Sequence, residues 1–429
     1  MGLQTKDERF SKTRRVKKKK NSLVSRLSSL IYKGNLMRVL VLNCGSSSVK
    51  FAVIDTQTKQ SIASGLVENI GVNGHTKAKG PEGNIDFNFD CPTHAEAVDQ
   101  VKKFLDAQKL TSTIEAIGHR VVHGGKYIKS EKVSQEVIDY IRSITLFAPL
   151  HEPAHATGME CATKFFPGLP QVAVFDTAFH QTMPQKAFLY GIPYKFYEKD
   201  GIRRYGAHGT SHRFVTAEAC KVLGTKPEET CLITAHLGNG SSCSAILNGQ
   251  CVDTTMGFTP LEGLIMGTRS GSLDPAILFY IAKKYGEEYG TIDKLDHLVN
   301  KESGLLGLSG LSNDMRTLTQ AASEGNKQAQ IALDVFCYRL TREIGGLAMA
   351  LPRIDAIVFT GGIGENSFYV RKQALDNLKL LGYQVDEERN LKSGKESNHL
   401  ITKDGTPKAI VVATNEELLI ALDTEALVK

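Results

Sequence analysis

The chain has 429 residues, 41% hydrophobic and 23% charged, with 39 glycines against 13 prolines, a composition that fits a folded two-domain protein and excludes a low-complexity one. Its formal net charge of +6 comes from residues 1–36, which hold 11 Lys/Arg and two acidic residues; from Met37 onward 41 basic and 44 acidic residues give −3. The body therefore gives no electrostatic reason to expect nucleic-acid binding.

In chain order, the leader comes first. It contains "RRVKKKK" and lacks the apolar stretch of a secretory signal or a membrane anchor. In "MGLQTK", Lys6 stands where myristoylation needs Ser or Thr. Residues 1–36 read as a disordered leader, with a basic tail touching membranes or nucleic acid as the alternative. From Met37, "RVLVLN" (38–43) and "SVKFAVID" (48–55) read as a β-hairpin with a Gly/Ser tip. Helical spacing follows at 95–108, then strands at 114–123 and 170–181 that end in polar residues.

The pattern restarts at "CLITAHLGNGSSCSAIL" (231–247), where "GNGSS" stands as "NCGSSS" did in the first hairpin. This reads as a degenerate internal repeat of two related α/β domains. Residues 274–286 and 326–351 are helical patterns. "IDAIVFTGGIGENS" (354–367) is a strand entering a glycine loop, and 408–427 gives a last strand and a helix capped by Thr414 or Asn415. Ligand loops in such architecture gather at the carboxyl ends of strands. The eight cysteines are scattered and form no CxxC, so they read as buried free thiols of a reducing cytosol.

Four residue classes carry the chemistry. Glycine loops "GSSSVK", "GNGSS" and "GGIGEN" each follow a strand and can turn several backbone N–H groups toward phosphates. None matches GxxxxGK[ST] or GxGxxG, which leaves a nucleotide polyphosphate bound by another fold. Arg120 and Arg269 sit among glycines at the ends of apolar segments. A guanidinium fork there suits a carboxylate or a moving phosphoryl group, the alternative being a surface ion pair. His119, His123, His151, His180, His208, His212 and His236 crowd the strand-end motifs. Gly209 breaks the HExxH zinc pattern, so an imidazole that hydrogen-bonds developing charge is the better use. Asp176 and Glu416 could orient Mg²⁺, although Glu416 could equally be a first-turn acid favoured by its helix dipole.

Taken together, "NCGSSSVKF", "GHRVVHGG", "APLH", "VFDTAFHQTMP", "RRYGAHGTSH", "HLGNGSS", "TPLEGLIMGTRSG", "SNDMR", "FTGGIGENS" and "TNEE" resemble, in order, the motifs of the acetate kinase family. That family lies in the superfamily of sugar kinases, actin and heat-shock chaperone ATPases, and the resemblance covers about residues 37–427. It implies two duplicated actin-like (ribonuclease H-like) α/β domains flanking a nucleotide cleft: 37–178 completed by 413–429, and 179–412. It implies direct in-line transfer of the ATP γ-phosphoryl group to acetate, giving acetyl phosphate and ADP, with Mg²⁺ or Mn²⁺ in a cytoplasmic homodimer. No nucleic acid or membrane partner is implied.

By the same resemblance, Asn43 and Glu416 are metal-site residues, and Ser46, Ser48 and Lys50 lie at the first phosphate loop. Arg120 and Arg269 clamp substrate and transition state, Asp176 is the catalytic acidic residue, and His208 and His236 stabilise the moving group. Leu237, Gly238, Asn239 and Gly240 form the second phosphate loop. Asp314, Met315 and Arg316 meet the nucleoside, and Gly362, Ile363, Gly364, Glu365 and Asn366 line the nucleotide cleft. Val122, Leu150 and Pro260 wall the acyl pocket. Three positions depart from the family's commoner form: Ala207 for Phe, Glu152 for Asn and Ser272 for Asp. The first keeps propionate open as acceptor, since one methylene is worth only about 1–3 kcal/mol in such a pocket. The other two put local hydrogen bonds in question. An actin-like or chaperone-like ATPase is the more distant alternative, disfavoured because Arg120 and Arg269 would lack a purpose.

Overall fold

The computed structural model describes residues 37–149 and 151–429, so the leader and Leu150 lie outside the described residues. The first apolar runs form strands β1 (Arg38–Cys44), β2 (Ser48–Asp55), β3 (Gln60–Glu68), β4 (Gly74–Lys79), β5 (Ile85–Phe89), β6 (Ala116–Val121), β7 (Glu131–Lys132) and β8 (Gln171–Phe175). They make one sheet in the order β5-β4-β3-β2-β1-β6-β8-β7. A second sheet holds β9 (Cys231–Leu237), β10 (Ser241–Leu247), β11 (Gln250–Thr254), β12 (Ala356–Thr360) and β13 (Ala409–Val411), in the order β11-β10-β9-β12-β13.

The two sheets share a plan. β3-β2-β1 and β11-β10-β9 are antiparallel meanders, and each first strand is then joined on its other side by two parallel strands, β6-β8 or β12-β13. The α/β class and the repeat expected from the two hairpins thus appear as one topology built twice. The parallel strands are buried on both faces, and β8, β12 and β13 read as nearly unbroken apolar runs. On β1, Leu40, Leu42 and Cys44 face one core cluster while Val39 and Val41 face another. Burying each such side chain stabilises the fold by about 1.5–3 kcal/mol.

Three helices set the site. Glu416–Val428 is capped by Asn415, whose Oδ1 accepts the Leu418 N–H at 3.0 Å. It returns to the first sheet, where Leu418, Ile420 and Ala421 join the cluster of Val39, Val41 and Val174. Gly118 of β6 admits it, because a Cβ there would lie 2.5 Å from Thr424 Oγ1 and 2.7 Å from Ile420 Cγ2. Lys327–Ala348 covers one face of the second sheet, burying Leu333, Phe336 and Leu340 against Ile233, Ala235 and Phe359. Gly209–Leu223 covers the other face, so Thr234 and His236 of β9 point at its first turn. All eight cysteines are buried and free. Among the described residues no helix is long and apolar enough to cross a membrane.

Candidate active site

Neighbouring parallel strands bring the first charges together. β6 and β8 run side by side with Arg120 opposite Val174, and the Asp176 N–H continues the ladder to the Val121 carbonyl at 2.9 Å. Arg120 donates from Nε and Nη2 to one Asp176 oxygen, Oδ2, at 3.1 and 2.7 Å. The other oxygen accepts the Thr210 hydroxyl at 2.6 Å, and the Asp176 carbonyl accepts the Gly209 N–H at 3.0 Å. Glu416 lies 3.5 Å from Arg120 Nε. Burial alone would weaken the guanidinium's hold on its proton, but Asp176 and Glu416 outweigh it and strengthen that hold. Burial also raises the Glu416 pKa despite Arg120, with Asp176 pushing the same way.

A cavity of about 320 Å³ opens beside this pair, lined by Asn43, Lys50, Arg120, Thr414, Glu416 and Glu417 among others. Lys50 is tied to Glu417 at 2.5 Å. Ser46 and Ser48, at the tip of the first hairpin, line neither this cavity nor the larger one, and the Ser48 carbonyl accepts the Gly45 N–H.

The second positive group faces the second sheet. Arg269 Nη1 donates to the Pro260 carbonyl at 3.1 Å and touches Met266 Sδ at 3.8 Å. It has no carboxylate partner among the described residues. Burial and then repulsion from Arg120 lower its pKa, as expected of a cation lacking an anion. His208 and His236 stack at 4.3 Å between centroids. Burial, reinforced by His236 and the two arginines, holds the His208 pKa well below the usual imidazole range. His236 falls to about 4, by burial and then by Arg120. Gly240 marks the meeting point: a Cβ there would stand 3.2 Å from His208 Nε2 and 3.6 Å from Arg269 Nη1. A guanidinium and an imidazole thus flank the glycine loop at the end of β9.

Beyond that loop lies the larger cavity, about 820 Å³. Gly238, Asn239, Asp314, Met315, Arg316, Gly362, Ile363 and Asn366, all expected from the motifs, line it. Leu237, Gly364 and Glu365 do not: Leu237 is buried at the strand end, and Gly364 is buried within the short helix Gly361–Asn366. The Glu365 carboxylate accepts the N–H groups of Gly361 at 3.0 Å and Thr414 at 3.2 Å, tying the loop to the start of the last helix. Motif reading missed Asn313, Thr319, Gln320, Ser323, Ser367, Phe368 and Tyr369 on the wall. Arg316, Thr319, Gln320 and Ser323 follow the i, i+3, i+4, i+7 rule on the helix Met315–Ser323, a signal available in the sequence.

The expected acyl wall is held from behind. Val122 is buried, and its N–H donates to His155 Nε2 at 3.2 Å; the next N–H, of His123, donates to Glu152 Oε1 at 2.9 Å. Both acceptors lie on the first turn of the helix Glu152–Phe165. Glu152 is fully buried, its Oε2 has no partner, and burial raises its pKa far above the carboxylate range. Ala207 is buried against Met256 and Met266. Ser272 closes a turn instead of leaving one open: its hydroxyl accepts, and its N–H donates to, Gly263, both at 3.0 Å. Of the remaining histidines, His119 meets Gln171, and burial lowers His123, His151 and His180 to about 3, 4 and 4 respectively.

Among the described residues no three His, Cys, Asp or Glu side chains cluster as a metal cage. Asn43 and Glu416 instead offer an amide and a carboxylate on one cavity wall. That donor set fits Mg²⁺, which keeps several waters and takes phosphate oxygens, and does not fit Zn²⁺.

Residues 38–422 match the model of the acetokinase family. An acetate kinase of Shewanella frigidimarina is 49% identical over 91% of this chain and 98% of its own length. Among solved structures, a propionate kinase of Francisella tularensis superposes with a TM-score of 0.87 at 43% identity, covering 91% of this chain and 99% of that one. An acetate kinase of Porphyromonas gingivalis gives 0.84 at 40% identity, covering 92% and 100%.

Proposed function

We propose, since this chain belongs to the acetokinase family, that it transfers the γ-phosphoryl group of ATP reversibly to acetate, giving acetyl phosphate and ADP. The observation that carries this reading is the convergence of Arg269 and His208 on Gly240, between the 820 Å³ cavity and the Arg120–Asp176 pair.

In-line phosphoryl transfer needs positioning and spread positive charge more than a covalent nucleophile. Acetate is already an anion, so no strong base is required. Asp176 grips Arg120 through Nε and Nη2, which leaves the Nη1 edge to meet the acceptor carboxylate. Val122, Ala207 and Pro260 wall the methyl group. Arg269 supplies the fork for the moving phosphoryl oxygens, with His208 as a neutral N–H donor and His236 stacked beside it. The larger cavity takes the nucleoside, with Asp314 and Arg316 at its rim, and the second glycine loop takes the phosphates. Asn43 and Glu416 would hold Mg²⁺, which when bound neutralises charge on the phosphate oxygens.

We further propose that the lobe of 37–178 with 413–429 closes on the lobe of 179–412 and so excludes water. Exposed Ile277, Phe279, Tyr280 and Ile292 support a homodimer formed through this face. Light scattering should give twice the chain mass, and a monomer would remove that part of the reading. A cytoplasmic enzyme agrees with eight free thiols.

Propionate is the second reading, favoured by the small side chain of Ala207 and by the likeness to a propionate kinase. Hydroxamate trapping of acyl phosphate with Mg-ATP and acetate, propionate, butyrate or no acid tests both. Acetyl hydroxamate should dominate. Propionyl hydroxamate in excess would move the assignment to the second reading, and ATP hydrolysis without any acyl phosphate would sink both.

A further inference from the structure

Behind His208 lies a file of buried polar groups that the transfer reaction does not touch. His208 Nδ1 is 2.9 Å from Ser242 Oγ; the same oxygen is 2.8 Å from His212 Nε2; and His212 Nδ1 is 2.7 Å from Thr234 Oγ1. Ser242, His212 and Thr234 are fully buried, so no water competes for these contacts. The placement follows from strand alternation. Thr234, on β9, and Ser242 and Ser244, on β10, face the helix Gly209–Leu223, whereas Ile233, Ala235 and Cys243 face the apolar core.

Counting protons gives the file a direction. A neutral imidazole has one N–H and one lone pair, and a hydroxyl has one proton to donate. Burial keeps both His208 and His212 neutral at ordinary pH. Two arrangements then satisfy all three contacts and give each hydroxyl proton an acceptor, since two imidazoles donating to Ser242 would leave its own proton unspent. In the first, Thr234 donates to His212 Nδ1, His212 Nε2–H donates to Ser242, and Ser242 donates to His208 Nδ1. In the second, every bond is reversed and Thr234 must send its proton to the Ser244 carbonyl, which lies 3.5 Å away. That distance is at the outer limit of a hydrogen bond, whereas the first arrangement spends the same proton at 2.7 Å.

We propose that Thr234, His212 and Ser242 form a one-way chain of hydrogen bonds that fixes His208 as the Nε2–H tautomer. The inference rests on the reading that His208 faces the transferred phosphoryl group. In this tautomer the single N–H of His208 points from Nε2 toward the space at Gly240, and the lone pair is turned into the protein. The reverse tautomer would present a lone pair to phosphoryl oxygens and repel them. His208 is further held by its backbone, at φ 55° in the left-handed region, and by His180, whose Nε2–H donates to the Ala207 carbonyl at 2.8 Å. Ser242 and His212 are thus positioning residues acting through His208.

Nitrogen-15 spectra of histidine-labelled enzyme, with His208 identified by the loss of its signals in His208→Gln, read the tautomer directly. The expected pattern is a protonated Nε2 and an acceptor Nδ1. Ser242→Ala should mix the tautomers and lower kcat by about 10–100-fold. KM for ATP and acetate should then move by less than about threefold, and Ser242→Thr, which keeps the hydroxyl, should restore most of the rate. His208 found as Nδ1–H in the unmodified enzyme overturns the proposal, and so does an unchanged kcat in Ser242→Ala. The unmodified spectrum decides even where a variant fails to fold. An enzyme inactive on every carboxylate, with His208 still Nε2–H, would sink the functional reading and leave the chain of bonds standing.

Discussion

Removing the Arg120 guanidinium should destabilise the fold before any substrate is added. Asp176 is the buried partner, with its side chain 1% exposed against 21% for Arg120. Arg120→Ala leaves that carboxylate with only the Thr210 hydroxyl, and removes the stronger of the two counter-charges of Glu416, Lys50 being the other. Deleting one partner of a buried ion pair costs about 3–5 kcal/mol, and the exposed fifth of Arg120 places the expected loss near 3 kcal/mol. The charge left behind causes most of that loss, so neutralising it should give part of it back. Arg120→Ala combined with Asp176→Asn should recover about 1–2 kcal/mol relative to Arg120→Ala alone. Urea unfolding of the four proteins of this cycle, without nucleotide and at neutral pH, measures each step. An Arg120→Ala protein within about 0.5 kcal/mol of the parent would refute the argument, as would a double variant with no recovery.

Three further outcomes are expected. Gly240→Ala puts a methyl 3.2 Å from His208 Nε2, so kcat should fall about tenfold or more while stability changes by under about 1 kcal/mol; equal kcat would detach Gly240 from the site. Glu152 has its folded-state pKa raised from the ordinary 4.5 by burial, so its contribution to stability is intact below about 4.5 and is lost as pH rises toward the folded value. Glu152→Gln should therefore gain on the parent in urea midpoint between pH 4.5 and neutral, and a pH-independent gap would contradict a buried neutral acid. Arg371 is fully buried and donates to the Gly364 carbonyl, both oxygens of Asn390 and Ser393 Oγ. Lysine cannot reproduce that fork, so Arg371→Lys should lose about 2–3 kcal/mol and raise KM for ATP more than KM for acetate; equal shifts would show that Gly361–Asn366 does not depend on it.

What could be read from the residues divides along physical lines. β1, β2, β8, β9 and β12 are mostly apolar runs, and such runs announce buried strands, while β6 and β10, interrupted by His119 and Arg120 or by serines, were legible from the glycine motifs beside them. β4 and β5 were not legible, because GHTKAK and IDFNF lie toward the sheet edge and leave most of their side chains partly in water. The site motifs were legible because polar residues at the end of an apolar strand have few structural uses. Glu365 shows the limit of that reasoning, since its place in a glycine motif suggested the cleft while its carboxylate turns away to cap two backbone N–H groups. Thr234 was invisible for the opposite reason, and Ser242, inside GNGSS, was legible only as part of a phosphate loop. A small hydroxyl in an apolar strand looks like filler until the histidine across from it is located.

The return of the last helix to the first sheet also constrains how the molecule is made. Val39 and Val41 emerge from the ribosome long before the residues that cover them, Leu418, Ile420 and Ala421. The second sheet, encoded without interruption between Cys231 and Val411, can finish while the first still waits uncovered. Glu416 and Glu417 arrive with that late segment, so Arg120 and Lys50 wait for these acidic partners until the second sheet has been made. A chain cut short before Glu416 would be released with β1 and β6 exposed along the face that Gly118 keeps clear.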